Sequence, residues 1–482
     1  MNIAIVLNLV SIILIFSSIF MLLPVLVSVI YRGQDLQALF ISFLLTLFSG
    51  VLLYLFTKRH EKIELSHRDG FAVVTVSWLF VSLFGSFPYL LSGTFSSFTN
   101  AYFEAMAGFT TTGSSVLDSL ESLPKGILMW RSLTQWMGGM GIIVFSIAIL
   151  PMLGVGGMQL FKAEMPDIGV EKLKPRIIDT AKSLWYIYAG LTAVLAILLF
   201  FFGMNIFDAV NHALTTMATG GFSTKSASIA YFSSTYVDIV ITVFMFLAGI
   251  NFALHFYALR GKLSRFTKSS EFKFYCRVTG LSIIIVTLSI MGSNNYSILQ
   301  ALRYASFQVV SIITTTGYTT ADFNVWPVFV QMLLLSLMFF GGMIGSTGGG
   351  MKQVRVLLMF KQAYRELYQL IHPHAVTALK LDNKNVHKAT LGGIWGFLFL
   401  FIFIAVISTL FLTLFGVDMI TSASTVISAM SNVGPALGEA GPTSNYSAIP
   451  AAGKWVLIFG MLTGRLEIYT VVILFVPLFW RK

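Results

Sequence analysis

Four short segments repeat one chemical theme: Thr110-Thr111-Thr112-Gly113-Ser114, Ala218-Thr219-Gly220-Gly221-Phe222, Thr314-Thr315-Thr316-Gly317-Tyr318 and Ser431-Asn432-Val433-Gly434-Pro435. Taken as Gly113, Gly220, Gly317 and Gly434, their glycines are spaced by 107, 97 and 117 residues. Residues of these types offer hard oxygen ligands. Glycine also turns its carbonyl into conformations that a Cβ forbids. Four such loops meeting on one axis would replace the hydration shell of a passing cation with peptide oxygens. The candidate ion-binding residues are Thr111, Thr112, Gly113, Thr219, Gly220, Thr315, Thr316, Gly317, Asn432, Val433 and Gly434. No ring of four carboxylates stands at matching positions, which favours a monovalent over a divalent ion. Ordinary turns are the alternative, but four matched copies in matched contexts argue against them.

A second constellation is the run Gly345, Ser346, Thr347, Gly348, Gly349 and Gly350, preceded by Gly341 and Gly342. Each glycine inside a helix costs about 1 kcal/mol relative to alanine, so a polar loop in mid-membrane is expected here. Close helix packing through the Gly341, Gly345 and Gly349 spacing is the competing reading. The run weakly resembles a phosphate-binding loop, but Met351 precedes Lys352 and Gln353 follows it, so the required Gly-Lys-Ser/Thr is missing. Arg465 interrupts the last apolar stretch, where a central charge costs ~3 kcal/mol or more. It is expected to face the pore near the glycine-rich loop and hold a closed state. Glu467 cannot face Arg465 across i, i+2, so its contact is expected on a neighbouring helix or a second protomer. Glu104, Asp118, Glu121, Asp208, Asp322, Asp418 and Glu439 fall on the outer side, either as charges that concentrate cations or as plain loop charges. His212 reads as a packing or capping residue.

The elements that must position these loops follow from composition. The chain is 56% hydrophobic and 11% charged with mean hydropathy +0.83, whereas soluble domains carry about 25% charged residues. Long unalternating apolar runs make it a helical membrane protein. Ten spanning candidates lie near 8–31, 36–57, 71–92, 125–155, 184–203, 236–259, 276–293, 327–359, 390–415 and 454–478. Four shorter stretches, near 99–117, 207–224, 299–320 and 418–439, each end in one of the glycine loops and read as re-entrant hairpins. The predicted fold class is an all-α membrane protein with four pseudo-symmetric helix–pore loop–helix repeats around one pore, plus an N-terminal transmembrane helix pair. Its units are 1–70 for the pair, then pore repeats at 71–183, 184–275, 276–389 with the gate loop, and 390–482.

Of 31 Lys and Arg, 24 fall in five segments: 58–70, 160–184, 259–277, 352–388 and 481–482. The positive-inside rule places those segments and both termini in the cytoplasm. The net charge of +11 therefore reports topology in a lipid bilayer and not nucleic-acid binding. The segments 160–184 and 352–388 are candidate docking surfaces for a cytosolic partner. The single Cys276 excludes an internal disulfide, and the N-terminal apolar run reads as a retained helix. No intramembrane nucleophile–base pair or metal cluster is visible, so an enzyme is not expected.

On these residues the sequence resembles the Trk/Ktr/HKT superfamily of cation transporters over nearly its whole length. The N-terminal pair, the run Trp130-Arg131-Ser132-Leu133-Thr134-Gln135-Trp136 and the glycines at 138–141 are similar to the TrkH-type membrane subunit of bacterial Trk potassium-uptake systems more than to the shorter Ktr type. The resemblance implies a multi-pass protein of the bacterial inner membrane and a homodimer with one pore per protomer. It also implies a cytosolic ring of TrkA-like nucleotide-binding regulators and a gate made by the intramembrane loop with Arg465. Potassium is the implied ion, transported and bound in the filter, because the sodium-preferring plant branch carries Ser where Gly113 stands. No organic cofactor is implied for this chain. The fourth loop departs from the Thr pattern and is left with its backbone carbonyls. A sodium-coupled potassium symporter of the Ktr kind is the alternative function.

Overall fold

The computed structural model describes residues 2–58, 66–148, 173–293, 296–375, 377–382 and 384–481. Residues 160–172 of the first docking segment lie outside them. Among the described residues, six helices are long and apolar enough to cross a membrane: Ile3–Tyr31, Leu36–Thr57, Arg68–Leu91, Thr180–Phe201, Ser270–Ser293 and Lys388–Leu414. Two bent helix pairs would bring the number to eight. A two-residue ribbon, Lys380–Leu381 against Lys384–Asn385, is the only sheet among the described residues.

The N-terminal pair packs on the rest through a polar pin. Asp35, buried between its two helices, accepts hydrogen bonds from Ser28 Oγ at 2.5 Å and from the Ile127 amide at 2.8 Å. That second bond satisfies one of the free amides that open the helix Lys125–Ala148.

Four short helices point inward: Phe98–Phe109, Ile206–Met217, Ile298–Ile313 and Met419–Ser431, of 12, 12, 16 and 13 residues. At 1.5 Å per residue, 12 residues rise only ~18 Å, too little for ~30 Å of hydrocarbon. Asn205, Ser297 and Asp418 cap three of them by accepting first-turn amides. Each inward helix is followed by a loop and then by a further, inner helical stretch.

Three of the four predicted inner spans are not single helices. The stretch 236–259 is Thr235–Ala248 followed by Phe252–Leu259, bent by 100°. The stretch 327–359 is Val328–Phe340, then irregular chain, then Gln353–Ile371. The stretch 454–478 is Ala451–Arg465 followed by Ile468–Phe475, bent by 117°. The breaks carry left-handed backbone at Gly341 (φ 70°), Lys352 (71°) and Glu467 (63°). Arg465 is therefore the last residue of a helix, where the partly negative C-terminal end favours a cation.

Burial is inverted relative to a soluble domain. Phe48, Phe56, Phe201, Leu410 and Leu414 are exposed, while Thr110, Thr111, Thr112, Thr215, Thr216, Thr314, Thr315 and Thr316 are all buried. Apolar side chains that face lipid cost nothing, so the polar groups can collect at the centre.

Candidate functional site

Each inward helix ends in the same backbone turn. The amides of Thr111, Thr219, Thr315 and Asn432 donate three residues back, to Gly108, Thr216, Ile312 and Ala429. The next amides, of Thr112, Gly220, Thr316 and Val433, donate five residues back, to Ala107, Thr215, Ser311 and Ser428. Thr111, Thr219, Thr315 and Asn432 are left-handed, with φ of 52°, 52°, 60° and 55°. Two residues on, Gly113, Gly221, Gly317 and Gly434 are left-handed again, at 80°, 75°, 79° and 104°.

This corrects the register of the second loop. Gly221, not Gly220, is the counterpart of Gly113; Gly220 occupies the place of Thr112 and Thr316. Both the amide pattern and the sign of φ require the shift by one residue.

The loops close on one another. A Cβ added to Gly113 would come under 3.0 Å from the Gly220 carbonyl oxygen; one on Gly221 would meet Thr316 O, one on Gly317 would meet Val433 O, and one on Gly434 would meet Thr112 O. The order is one, two, three, four and back to one, so the four hairpins form a single ring. All four glycines line a pocket that opens to solvent.

Side chains brace each loop in its own way. Thr110 and Thr112 hydroxyls lie 2.8 Å apart, as do Thr314 and Thr316. Asn432 Nδ2 donates to Thr112 Oγ1 and to Met461 O, both at 2.9 Å, tying the fourth loop to the first. Gln135 Nε2 donates to Gly220 O at 2.6 Å while its Oε1 accepts from the Phe222 amide at 3.0 Å.

The glycine-rich stretch lies on the other side of the ring. It touches residues that precede the ring glycines, whereas the cavity is lined mainly by residues that follow them. The Gly349 amide donates to Thr315 Oγ1 at 2.7 Å, and a Cβ on Gly349 would crowd Ser431 O and Asn432. Thr347 Oγ1 donates to Met217 O at 3.0 Å and Ala248 O at 3.3 Å. Arg465 Nη1 donates to Thr347 O at 2.7 Å, and Nη2 donates to Gly138 O at 3.0 Å. Lys352 Nζ donates to Gly348 O. Glu271 Oε1 accepts the Ile344 and Val354 amides at 2.9 and 3.1 Å, anchoring both ends of the stretch. The loop thus contacts backbone from the second, third and fourth units directly and from the first through Arg465.

The family model for cation transport proteins described as TrkH matches residues 35–482. A TrkH from Halomonas elongata, named a Trk system potassium uptake protein, is 42% identical with all of both chains covered. The TrkH of Escherichia coli K12, named likewise, is 43% identical over 96% of each chain. The crystal structure of the potassium transporter TrkH from Vibrio parahaemolyticus superposes with a TM-score of 0.93 at 39% identity and full coverage of both chains.

The chain belongs to the TrkH family. It is a membrane transporter of cations by family and not an enzyme. Several charges in this TrkH-family chain do other work than their sequence positions suggest. Glu104 is fully buried; it accepts from Arg131 at 2.9 Å, from Ser115 Oγ and from the Val116 amide. Asp208 is buried too, accepting from Thr224 Oγ1 at 2.6 Å and lying 3.6 Å from Lys225 Nζ. Neither is a free outer charge. Asp118, Glu121 and Asp322 hold outer-loop amides or side chains, Asp418 caps a helix, and Glu439 is exposed.

Lys352 and Arg355, counted among the cytoplasmic charges, are buried. Arg355 Nη2 pairs with Glu467 Oε2 at 2.5 Å, the neighbouring-helix contact expected for Glu467. His212 is buried, bonding Asp208 O and Ser223 Oγ, as a packing residue should. Sequence reasoning missed Gln135, Glu271 and Lys352. Each is a lone polar residue whose purpose lies in a partner 73 or more residues away, or in a loop whose shape no local pattern reveals.

Proposed function

We propose that this chain mediates gated, potassium-selective uptake across the bacterial inner membrane. The single observation that carries the reading is the closed ring of four left-handed glycines, each set against the carbonyl of the next loop. Such a ring offers a dehydrated alkali cation peptide oxygens held at fixed spacing. The inward helices aim their partly negative C-terminal ends at the same place, which favours a cation further. The names of the Halomonas and Escherichia relatives support potassium as the ion.

In this reading Thr111, Thr112, Gly113, Thr219, Gly220, Gly221, Thr315, Thr316, Gly317, Asn432, Val433 and Gly434 form the filter. The stretch 345–350, held by Arg465, forms the gate beneath it. The hydrogen bonds that cross the axis support a closed pathway: a cation leaving the ring meets a plug of backbone with a guanidinium behind it. Both termini are cytoplasmic, by the positive-inside rule. The working unit is a homodimer with a TrkA-like ring of nucleotide-binding subunits on its cytoplasmic face, as the family resemblance implies.

The test is ion-substitution flux in liposomes, comparing wild type with Gly113→Ser. Wild type should pass potassium in preference to sodium, and the variant should lose much of that preference. Unaltered discrimination in the variant would overturn the filter assignment.

A further inference from the structure

The second loop has no hydroxyl pair. Ala218 and Gly220 stand where the first loop has Thr110 and Thr112 and the third has Thr314 and Thr316. The fourth loop lacks the pair as well, but Asn432 binds both a neighbouring loop and an inner helix. The fourth loop's ring carbonyl, Gly434 O, also accepts from Tyr446 Oη at 2.5 Å, whereas the second loop is braced by a glutamine from an inner helix. Gln135, on the inner helix Lys125–Ala148, is fully buried and spends both ends of its amide on that loop's backbone. Its Nε2 donates to Gly220 O, and its Oε1 accepts from the Phe222 amide, one residue beyond the ring glycine Gly221.

The space is shared as well as the bonds. A Cβ on Gly220 would come under 3.0 Å from the Gln135 amide group. Gly220 is not left-handed, so its backbone alone would accept a side chain. A side chain at this position, where the first and third loops carry Thr112 and Thr316, would need the space that the Gln135 amide occupies. Burying an amide this deeply is costly unless both of its polar ends are paired. Here both partners belong to one loop. One turn earlier, Arg131 Nη1 adds a bond to Ser223 O at 3.0 Å and sets its guanidinium 4.1 Å above the Phe222 ring.

We propose that Gln135 is a positioning residue that replaces the missing hydroxyl pair of the second loop and sets that loop's share of the discrimination between potassium and sodium. It holds the Gly220 carbonyl, the oxygen set against Gly113 in the ring. The inference rests on the filter reading above. The discrimination of such a ring depends on the spacing and field strength of its carbonyls. A carbonyl restrained by a donor amide keeps its place when a smaller ion enters. An unrestrained one collapses onto it.

Three single variants of Gln135 (to Leu, Glu and Ala) and one double variant test this in the full-length protein reconstituted in liposomes. Gln135→Leu keeps the bulk and removes both bonds. Gln135→Glu keeps the shape and the Phe222 bond and, once ionised, cannot donate to Gly220 O, so its flux ratio is read on the alkaline side, where the buried carboxyl has lost its proton. In each, the potassium-to-sodium flux ratio should fall roughly tenfold, the factor for about 1.4 kcal/mol of differential binding. Gln135→Ala with Gly220→Thr returns a hydroxyl to the vacated space and should recover part of the ratio lost in Gln135→Ala alone. A merely structural glutamine would change protein yield and thermal stability but leave the ratio of the surviving protein alone. Wild-type ratios in both Gln135→Leu and Gln135→Glu, or no recovery in the double, would overturn the proposal. Gly113→Ser in the same assay separates the two readings: if it shifts the ratio while the Gln135 variants do not, only the glutamine inference fails; if nothing shifts it, the filter reading fails.

Discussion

Arg465 Nη1 donates to the carbonyl of Thr347 at 2.7 Å, joining the end of the last inner helix to a loop 118 residues earlier. The same guanidinium reaches Gly138 O on the first inner helix at 3.0 Å. A single cation thus ties the first, third and fourth units together beneath the ring. Hydrogen bonds to charged donors are worth ~1.5–3 kcal/mol each, enough to hold the loop firmly in this position.

Removing that tie should release the loop. Arg465→Ala is expected to raise basal cation flux at equal protein density in liposomes, and Arg465→Lys should lie between the two because one ammonium cannot span both carbonyls as the fork does. Unchanged or lower flux in the alanine variant would count against the closed-state role.

The register of the second loop makes a paired prediction. A methyl group on Gly221 meets Thr316 O from a backbone at φ 75°, so Gly221→Ala should abolish transport. On Gly220 it meets the movable end of Gln135 from an unstrained backbone, so Gly220→Ala should retain part of the activity. Growth on limiting potassium ranks the two; the reverse order would restore the register with Gly220 as the ring glycine.

Glu104 and Arg131 form an ion pair with side chains 0% and 2% exposed. Taking away one partner of such a pair leaves an uncompensated charge and costs ~3–5 kcal/mol. Glu104→Gln and Arg131→Met should each lower the unfolding temperature in detergent, and the double variant should recover part of the loss. Additive losses in the double would show that the two groups act separately.

Arg355 and Glu467 couple the helix that follows the glycine-rich stretch to the segment that follows Arg465. A double-mutant cycle through Arg355→Ala and Glu467→Ala, read as basal flux and unfolding temperature, should give a coupling of about 0.5–3 kcal/mol. Zero coupling would mean that the two side chains meet without mutual effect.

Much of this protein is written in its chain. Apolar runs of membrane length dictate helices wherever they occur, because an unpaired peptide group in hydrocarbon is too costly. The four glycine-bearing loops stand out as candidate ligand loops through residue type and recurrence alone. The cluster of glycines after Phe340 announces a break, because glycine penalises helix in any context. The breaks at 249–251 and at Glu467 were not legible: Gly249 is a single glycine, and Glu467 is an ordinary residue whose left-handed φ no local preference explains.

Tertiary structure decided what local chemistry leaves degenerate. Gly220 and Gly221 are equivalent to any rule of composition, and only in the folded loop is Gly221 the left-handed one, set against the Thr316 carbonyl of the neighbouring loop. Glu104 and Arg131 are two charges in two predicted elements until packing removes both from water and leaves each as the other's partner. Gln135 is a polar residue on an apolar helix until a loop 85 residues later supplies its acceptor. Residue type and order determined the class of protein and singled out the candidate ligand residues. The sign of a dihedral and the partner of a buried polar group depend on what lies across the axis, and only the closed fold settles that.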